Sequence, residues 1–226
     1  MSQARRQKLA ALFREFLPEE SVVDQPTSLA AYECDGLSAY RETPLLVLLP
    51  ESIEQVQQVM RLCHQQQVPV VSRGAGTSLS GGALPHAEGV VLSLAKMQKV
   101  LHVDALSRLA VVEPGVRNLA ISEAVRSLGL YYAPDPSSQI ACSIGGNVAE
   151  NAGGVHCLKY GLTLHNILAL KLVAADGEIF EIDQRALHVD GYDLLPLLVG
   201  SEGMLAIVVE VTVKLLPIPR CARVVL

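Results

Sequence analysis

Tryptophan is absent from this 226-residue sequence, and three phenylalanines and six tyrosines are its only Phe and Tyr side chains. That argues against the aromatic platforms on which bases or sugars stack. There is no CxxC pair: the five cysteines stand alone at positions 34, 63, 142, 157 and 221, an odd and scattered set. With no basic-then-apolar leader at the start of the chain, the expectation is reduced thiols in a cytoplasmic compartment. Long hydrophobic runs are missing too. Residues 194–199 and 207–216 are short or interrupted, far from the ~20 apolar residues of a membrane-spanning helix. Nor is there a basic cluster: 18 Lys and Arg stand against 23 Asp and Glu, for a net charge of -5, so no nucleic-acid partner is expected. The histidines at 64, 86, 102, 156, 165 and 188 include no pair at ligand spacing, and no metal site is expected.

What is present is apolar material, 50% of the residues against 18% charged, enough for a sizeable core. Residues 2–17 place Leu9, Leu12, Phe13, Phe16 and Leu17 at helical spacing ahead of Pro18, which predicts an amphipathic helix. Residues 45–49 read as a strand, Ser52 with Gln55 as a capping box, and Val56, Val59, Met60 and Cys63 as a helix face. Residues 68–71, 90–94 and 100–104 read as further strands of a small α/β lobe. Beyond them come a strand at 109–112 and a helix from Asn118 closed by Gly129. Two strands follow around Asp176-Gly177, and a last one at 207–216 stops at Pro217. The predicted fold is α+β: a small α/β lobe beside an antiparallel sheet with helices.

Three glycine-rich segments interrupt this pattern. Arg73-Gly74-Ala75-Gly76-Thr77-Ser78-Leu79-Ser80-Gly81-Gly82 follows a buried strand, where backbone N–H groups can turn toward an anion such as phosphate. It is neither a Walker A loop nor a Rossmann fingerprint, and a flexible surface loop is the alternative. Pro134-Asp135-Pro136-Ser137-Ser138, Ser143-Ile144-Gly145-Gly146-Asn147 and Asn151-Ala152-Gly153-Gly154 make up the second, and Gly200-Ser201-Glu202-Gly203 begins the third. Together they suggest a long ligand held between two lobes, with tight turns beside sheet edges as the alternative.

In this order and spacing the three segments resemble the FAD-binding (PCMH-type) domain of the vanillyl-alcohol oxidase superfamily. Tyr32-Glu33-Cys34-Asp35-Gly36-Leu37-Ser38-Ala39-Tyr40-Arg41 and Ala149-Glu150-Asn151-Ala152-Gly153-Gly154-Val155-His156-Cys157-Leu158-Lys159-Tyr160-Gly161 look like the flavin subunits of bacterial glycolate oxidases. The resemblance implies a helical segment at 1–28, a first FAD lobe at 29–104 and a second at 105–226. It implies that Arg73, Gly74, Ala75, Gly76, Thr77 and Ser78 lie along the FAD pyrophosphate. Pro134, Ser138, Ser143, Gly145, Gly146, Asn147 and Gly154 would then run beside the flavin and ribityl chain, with Glu202, Gly203 and Ile207 near the adenine end. Thr77 stands where some relatives carry a flavin-linking histidine, so non-covalent FAD is expected.

A departure stands at Gly203-Met204-Leu205-Ala206-Ile207, where many relatives read Gly-Thr-Leu-Gly-Ile, so Ala206 would crowd a backbone approach. The strand-like residues 221–226 break off, so a fragment of a longer protein is expected. Its missing cap would carry the catalytic and substrate-binding groups, and its loss would expose apolar patches prone to self-association. Catalytic residues are therefore unassigned, with His156 and Lys159 as reserve candidates and Asp35 and Glu150 as loop-orienting groups.

The activity implied is oxidation of a small 2-hydroxy acid, glycolate or D-lactate, with electrons passing to a respiratory acceptor. Other subunits, including an iron-sulfur subunit, would be partners in the cytoplasm, with the inner membrane reached through them. A D-lactate dehydrogenase, an alkyl-glycerone-phosphate synthase relative and a non-catalytic flavin-binding subunit are the alternatives, since the FAD domain alone does not choose a substrate.

Overall fold

The computed structural model describes residues 3–184 and 191–221; residues 222–226 of the strand-like ending, and His188, lie outside them. Helix α1 (Gln3–Arg14) buries Leu9, Ala10 and Phe13. It is followed by β1 (Val22–Val23), α2 (Pro26–Leu29), β2 (Leu46–Leu48), α3 (Ile53–Gln66), β3 (Val70–Arg73) and β4 (Val90–Ser93). The first sheet has the order β1-β2-β4-β3, with β2 and β3 both parallel to β4 and β1 antiparallel at the edge. Helix α3 forms where expected: Val56, Val59, Met60 and Cys63 are buried at i, i+3, i+4 and i+7. Ser52 Oγ accepts from Gln55 N at 3.3 Å, while Gln55 Oε1 accepts from Glu51 N at 2.7 Å, one residue before the cap.

The second sheet begins with β5 (Val100–Asp104) and β6 (Leu109–Val112). The sequence pattern assigns residues 100–104 to the first lobe, but β5 pairs antiparallel with β6 instead. The cause is local: Asp104 Oδ1 accepts from the backbone N–H of Leu106 and Ser107, both at 2.9 Å, which folds the chain straight back into a hairpin.

Next come α4 (Asn118–Val125), β7 (Leu130–Tyr131), α5 (Ile144–Glu150), α6 (Cys157–Tyr160), β8 (Ile167–Val173), β9 (Ile179–Asp183), α7 (Leu195–Leu198), β10 (Ile207–Lys214) and β11 (Leu216–Pro217). The order is β5-β6-β10-β8-β9, antiparallel throughout, and β11 pairs with β7. As predicted, Gly129 takes a left-handed conformation after the α4 segment and Asp176-Gly177 turns β8 into β9.

Two main cores result. One packs α1 and α3 on the first sheet, and Val173, Ile207 and Val209 of the second sheet belong to it. The other packs Ile121, Ile144, Val148 and Leu195 against Val208, Val211 and Val213. Strand β10 serves both because a bulge between Val208 and Glu210 shifts its alternation. Ile207 and the bulged Val209 face one core and Val208 the other; after the bulge Val211 and Val213 take over the second face.

Candidate functional site

The three glycine-rich segments meet at a cavity of about 210 Å³ between the sheets. The first leaves β3 at Arg73, whose guanidinium Nη1 donates to the Cys34 carbonyl at 2.8 Å and lies over the Tyr32 ring, 5.6 Å from its centre. This pins the base of the loop to residues 32–34. Gly74 follows, and a Cβ there would overlap Ser143 Oγ and stand 3.4 Å from the Gly146 Cα. The loop and the start of α5 therefore lie back to back.

Helix α5 anchors the other two segments. Ser143 Oγ caps it by accepting from Gly146 N at 3.4 Å, and Gly145 N donates to the Pro114 carbonyl at 2.8 Å. Buried Asn147 donates from Nδ2 to Asn118 Oδ1 at 2.9 Å, and Asn118 Nδ2 donates to the Pro134 carbonyl at 2.9 Å. At the far end of α5, the Val148 and Ala149 carbonyls accept from Gly200 N (2.8 Å) and Glu202 N (2.9 Å). Glu150 accepts from Ser80 Oγ at 2.9 and 2.8 Å. One short helix thus holds the Arg73–Gly82 loop on one side and the turn into β10 on the other.

Of the residues expected at the site, Arg73, Gly74, Ala75, Gly76, Thr77, Ser78, Ser138, Ser143, Gly145, Gly146, Asn147, Glu202 and Gly203 line this cavity. Pro134, Gly154 and Ile207 do not. Pro134 is buried behind the wall with its carbonyl bonded to Asn118. Gly154 is packed against Asp135, where a Cβ would overlap its carboxylate. Ile207 faces a neighbouring cavity of about 570 Å³ with Met60, Cys63 and Leu205, because consecutive residues of a strand point to opposite faces and Val208 takes the first. Leu94, Pro114, Leu172 and Val208 complete the first cavity's apolar wall. Glu150, expected only to orient loops, also lines it.

Charged lining groups are few: Arg73, Glu150 and Glu202. The rest is backbone, small side chains and apolar wall, so the arrangement is built to hold a molecule by its edges rather than to attack one. Behind it, His156 Nδ1 stands 2.6 Å from Asp135 Oδ2. Tyr131 and Tyr160 meet edge to face with ring centres 6.4 Å apart. Burial, and then the hydrogen bond to Tyr160, pushes the Tyr131 hydroxyl up to about 12, while the hydrogen bonds from Tyr131 and Lys159 lower that of Tyr160. On the same segment Val155 and Leu158 are exposed. Among the described residues no group of three or more His, Cys, Asp or Glu is arranged to hold a metal ion. No described helix is long and apolar enough to cross a membrane.

Comparison with known proteins gives a consistent picture. The FAD binding domain family matches residues 44–183. The glycolate oxidase subunit GlcD of Escherichia coli K12 is 57% identical over 221 residues, 98% of this chain and 44% of that protein. Its namesake from Bacillus subtilis is 40% identical over 92% of the chain and 44% of that protein. A D-lactate dehydrogenase of Archaeoglobus fulgidus is 42% identical over 76% of the chain and 39% of that protein. The matched stretch is 44%, 44% and 39% of the length of these relatives, so the chain spans about half of each. Among solved structures, alkyldihydroxyacetonephosphate synthase superposes with a TM-score of 0.85 at 22% identity, over 95% of this chain and 41% of that one, a likeness of fold. With the family match covering the first sheet from β2 onward and most of the second, the chain belongs to the FAD binding domain family, and FAD is its cofactor.

Proposed function

We propose that this chain is the FAD-holding part of an oxidoreductase that converts a small 2-hydroxy acid, glycolate to glyoxylate, and passes the electrons to a respiratory acceptor. The observation that carries the reading is the 57% identity to a glycolate oxidase subunit across 98% of the chain. The residues suit the cofactor: Gly74, Gly76, Gly145, Gly146 and Gly203 line the cavity, and glycine backbone lets a pyrophosphate come close without a competing side chain. Thr77 lines the cavity and no described histidine does, which supports non-covalent attachment. When bound, FAD supplies a hydride acceptor for the α-carbon of the 2-hydroxy acid. The chain's own residues hold and orient it: the loop at 73–78 along the phosphates, and Ser138 and residues 143–147 along the flavin side.

Substrate recognition belongs to the remainder of the longer protein, for which the exposed Val155 and Leu158 offer an apolar face. We further propose partner subunits, among them an iron-sulfur subunit, and a cytoplasmic location reaching the inner membrane through them. D-lactate is the second substrate reading, favoured by the 42% identity to the Archaeoglobus enzyme.

The test is the absorbance spectrum of the purified chain after incubation with FAD and desalting. A flavin spectrum that survives desalting and is released by denaturant is expected; no retained flavin would overturn the cofactor role of this chain. Glycolate and D-lactate offered side by side to the intact enzyme, with an artificial acceptor, decide the substrate.

A further inference from the structure

Resting on the FAD reading, we infer that Glu150 and Glu202 form a paired acceptor site for vicinal hydroxyl groups of the cofactor's sugar portion, while its anionic portion lies against the backbone of residues 74–77. The charge of the lining points this way. Among the described residues Arg73 is its only basic side chain, and that guanidinium is turned to the Cys34 carbonyl and the Tyr32 ring. Two carboxylates share the cavity, and among the described residues neither makes an ion pair. A carboxylate only accepts hydrogen bonds and repels phosphate at close range. The donors a flavin dinucleotide offers are the adenine amino group, the flavin N3–H and the sugar hydroxyls, and of these only the sugar hydroxyls stand on adjacent atoms, as two neighbouring carboxylates require.

Gly82 sets the spacing. A Cβ there would stand 2.9 Å from Glu150 Oε1 and 2.9 Å from Glu202 Oε2, so those two oxygens are no farther apart than twice that distance. Adjacent hydroxyls of one sugar can bridge such a span. Glu150 already takes a hydroxyl in this way, from Ser80. Because Ser80 donates to Glu150, Ser78 must donate to Ser80 Oγ (2.8 Å), and Ser78 Oγ in turn accepts from Ser80 N at 3.2 Å. The Ser78 proton is therefore spent inside the loop, which leaves the backbone and the Thr77 hydroxyl of residues 74–77 as the anion contacts. Glu202 makes no side-chain hydrogen bond among the described residues and is free to accept.

The experiment measures dissociation constants by flavin fluorescence for FAD, for FAD with a 2′,3′-dideoxyadenosine and for FAD with a 2′-deoxyribityl chain, on the wild type, E202Q, E202A and S80A. The expected result is that one deoxy analogue binds the wild type about tenfold or more weaker than FAD, as loss of a charge-assisted hydrogen bond requires. E202A closes that gap by weakening FAD alone, E202Q, which keeps a neutral acceptor oxygen, narrows it, and S80A keeps it. The analogue that loses affinity identifies the sugar as ribose or ribityl. Equal binding of all three flavins by the wild type, or a gap that persists in E202A, overturns the assignment. A wild type that binds none of the three overturns the FAD reading itself, a separate and recognisable result.

Discussion

Asp135 and His156 are joined twice: the imidazole Nδ1 stands 2.6 Å from Asp135 Oδ2, and the His156 backbone N–H donates to Asp135 Oδ1 at 3.2 Å. This double link closes the strap that runs from α5 to α6 onto the segment following β7. Asn151 fastens the other end of the strap, its Oδ1 accepting from Leu164 N at 3.0 Å.

Gly154 lies under that link, and a side chain there would overlap both the carboxylate and the backbone of Asp135. Because backbone cannot step aside, Gly154→Ala is expected to cost about 1–3 kcal/mol. Thermal melting checks it, and an unchanged Tm would refute the packing argument.

Gly74 and Ser143 make a sharper test, because the obstruction is a single hydroxyl. Gly74→Ala should lower stability and flavin retention together. Ser143→Ala alone removes the α5 cap and should cost about 1 kcal/mol. Their combination should cost less than the sum by about 0.5 kcal/mol or more, since the second change makes room for the first. Strict additivity in urea denaturation would show that the two do not touch.

Much of this architecture is legible in the sequence where the signal is local. Ser52 with Gln55, the α3 face and Asp176-Gly177 all carry short-range chemistry that tertiary packing did not have to override. Helix α5 was not legible, since Gly145 and Gly146 inside its first turn weigh against a helix. The Ser143 cap and the burial of Ile144 and Val148 in the second core outweigh them. The placement of β5 and the two-faced use of β10 depend on a turn and a bulge that alternation alone does not reveal. At the site, the glycine segments were legible by composition. That Val208 rather than Ile207 faces the first cavity was not legible, because only the strand register says which of two neighbours does so.

The buried pair Asn118 and Asn147 joins α4 to α5. Asn147→Ala leaves Asn118 Oδ1 without its donor and is expected to destabilise by about 1–3 kcal/mol. A smaller loss in guanidinium denaturation than that of an exposed asparagine variant would contradict the network.

Cys63 gives the pH dependence. Burial pushes its thiol from an ordinary 9.0 up to about 12, so the folded state resists deprotonation more than the unfolded chain does. The stability this contributes is complete below the unfolded value of 9.0 and fades as pH rises toward about 12. Cys63→Ala should flatten the loss of stability across that alkaline window. At pH 8.5, a value below that window, iodoacetamide should label exposed Cys221 and spare Cys63. Peptide mapping that finds both labelled at equal rates would contradict this.

The shared strand β10 has a consequence for how the molecule comes into being. Ile207 and Val209 complete the core of a sheet whose own strands lie between residues 22 and 93. During synthesis that sheet must wait, with an apolar flank open, until a segment made much later returns to cover it. Such long-range closure slows folding and favours early engagement by chaperones. Once closed, the two sheets share a core through Val173, Ile207 and Val209, and they should melt together in one transition.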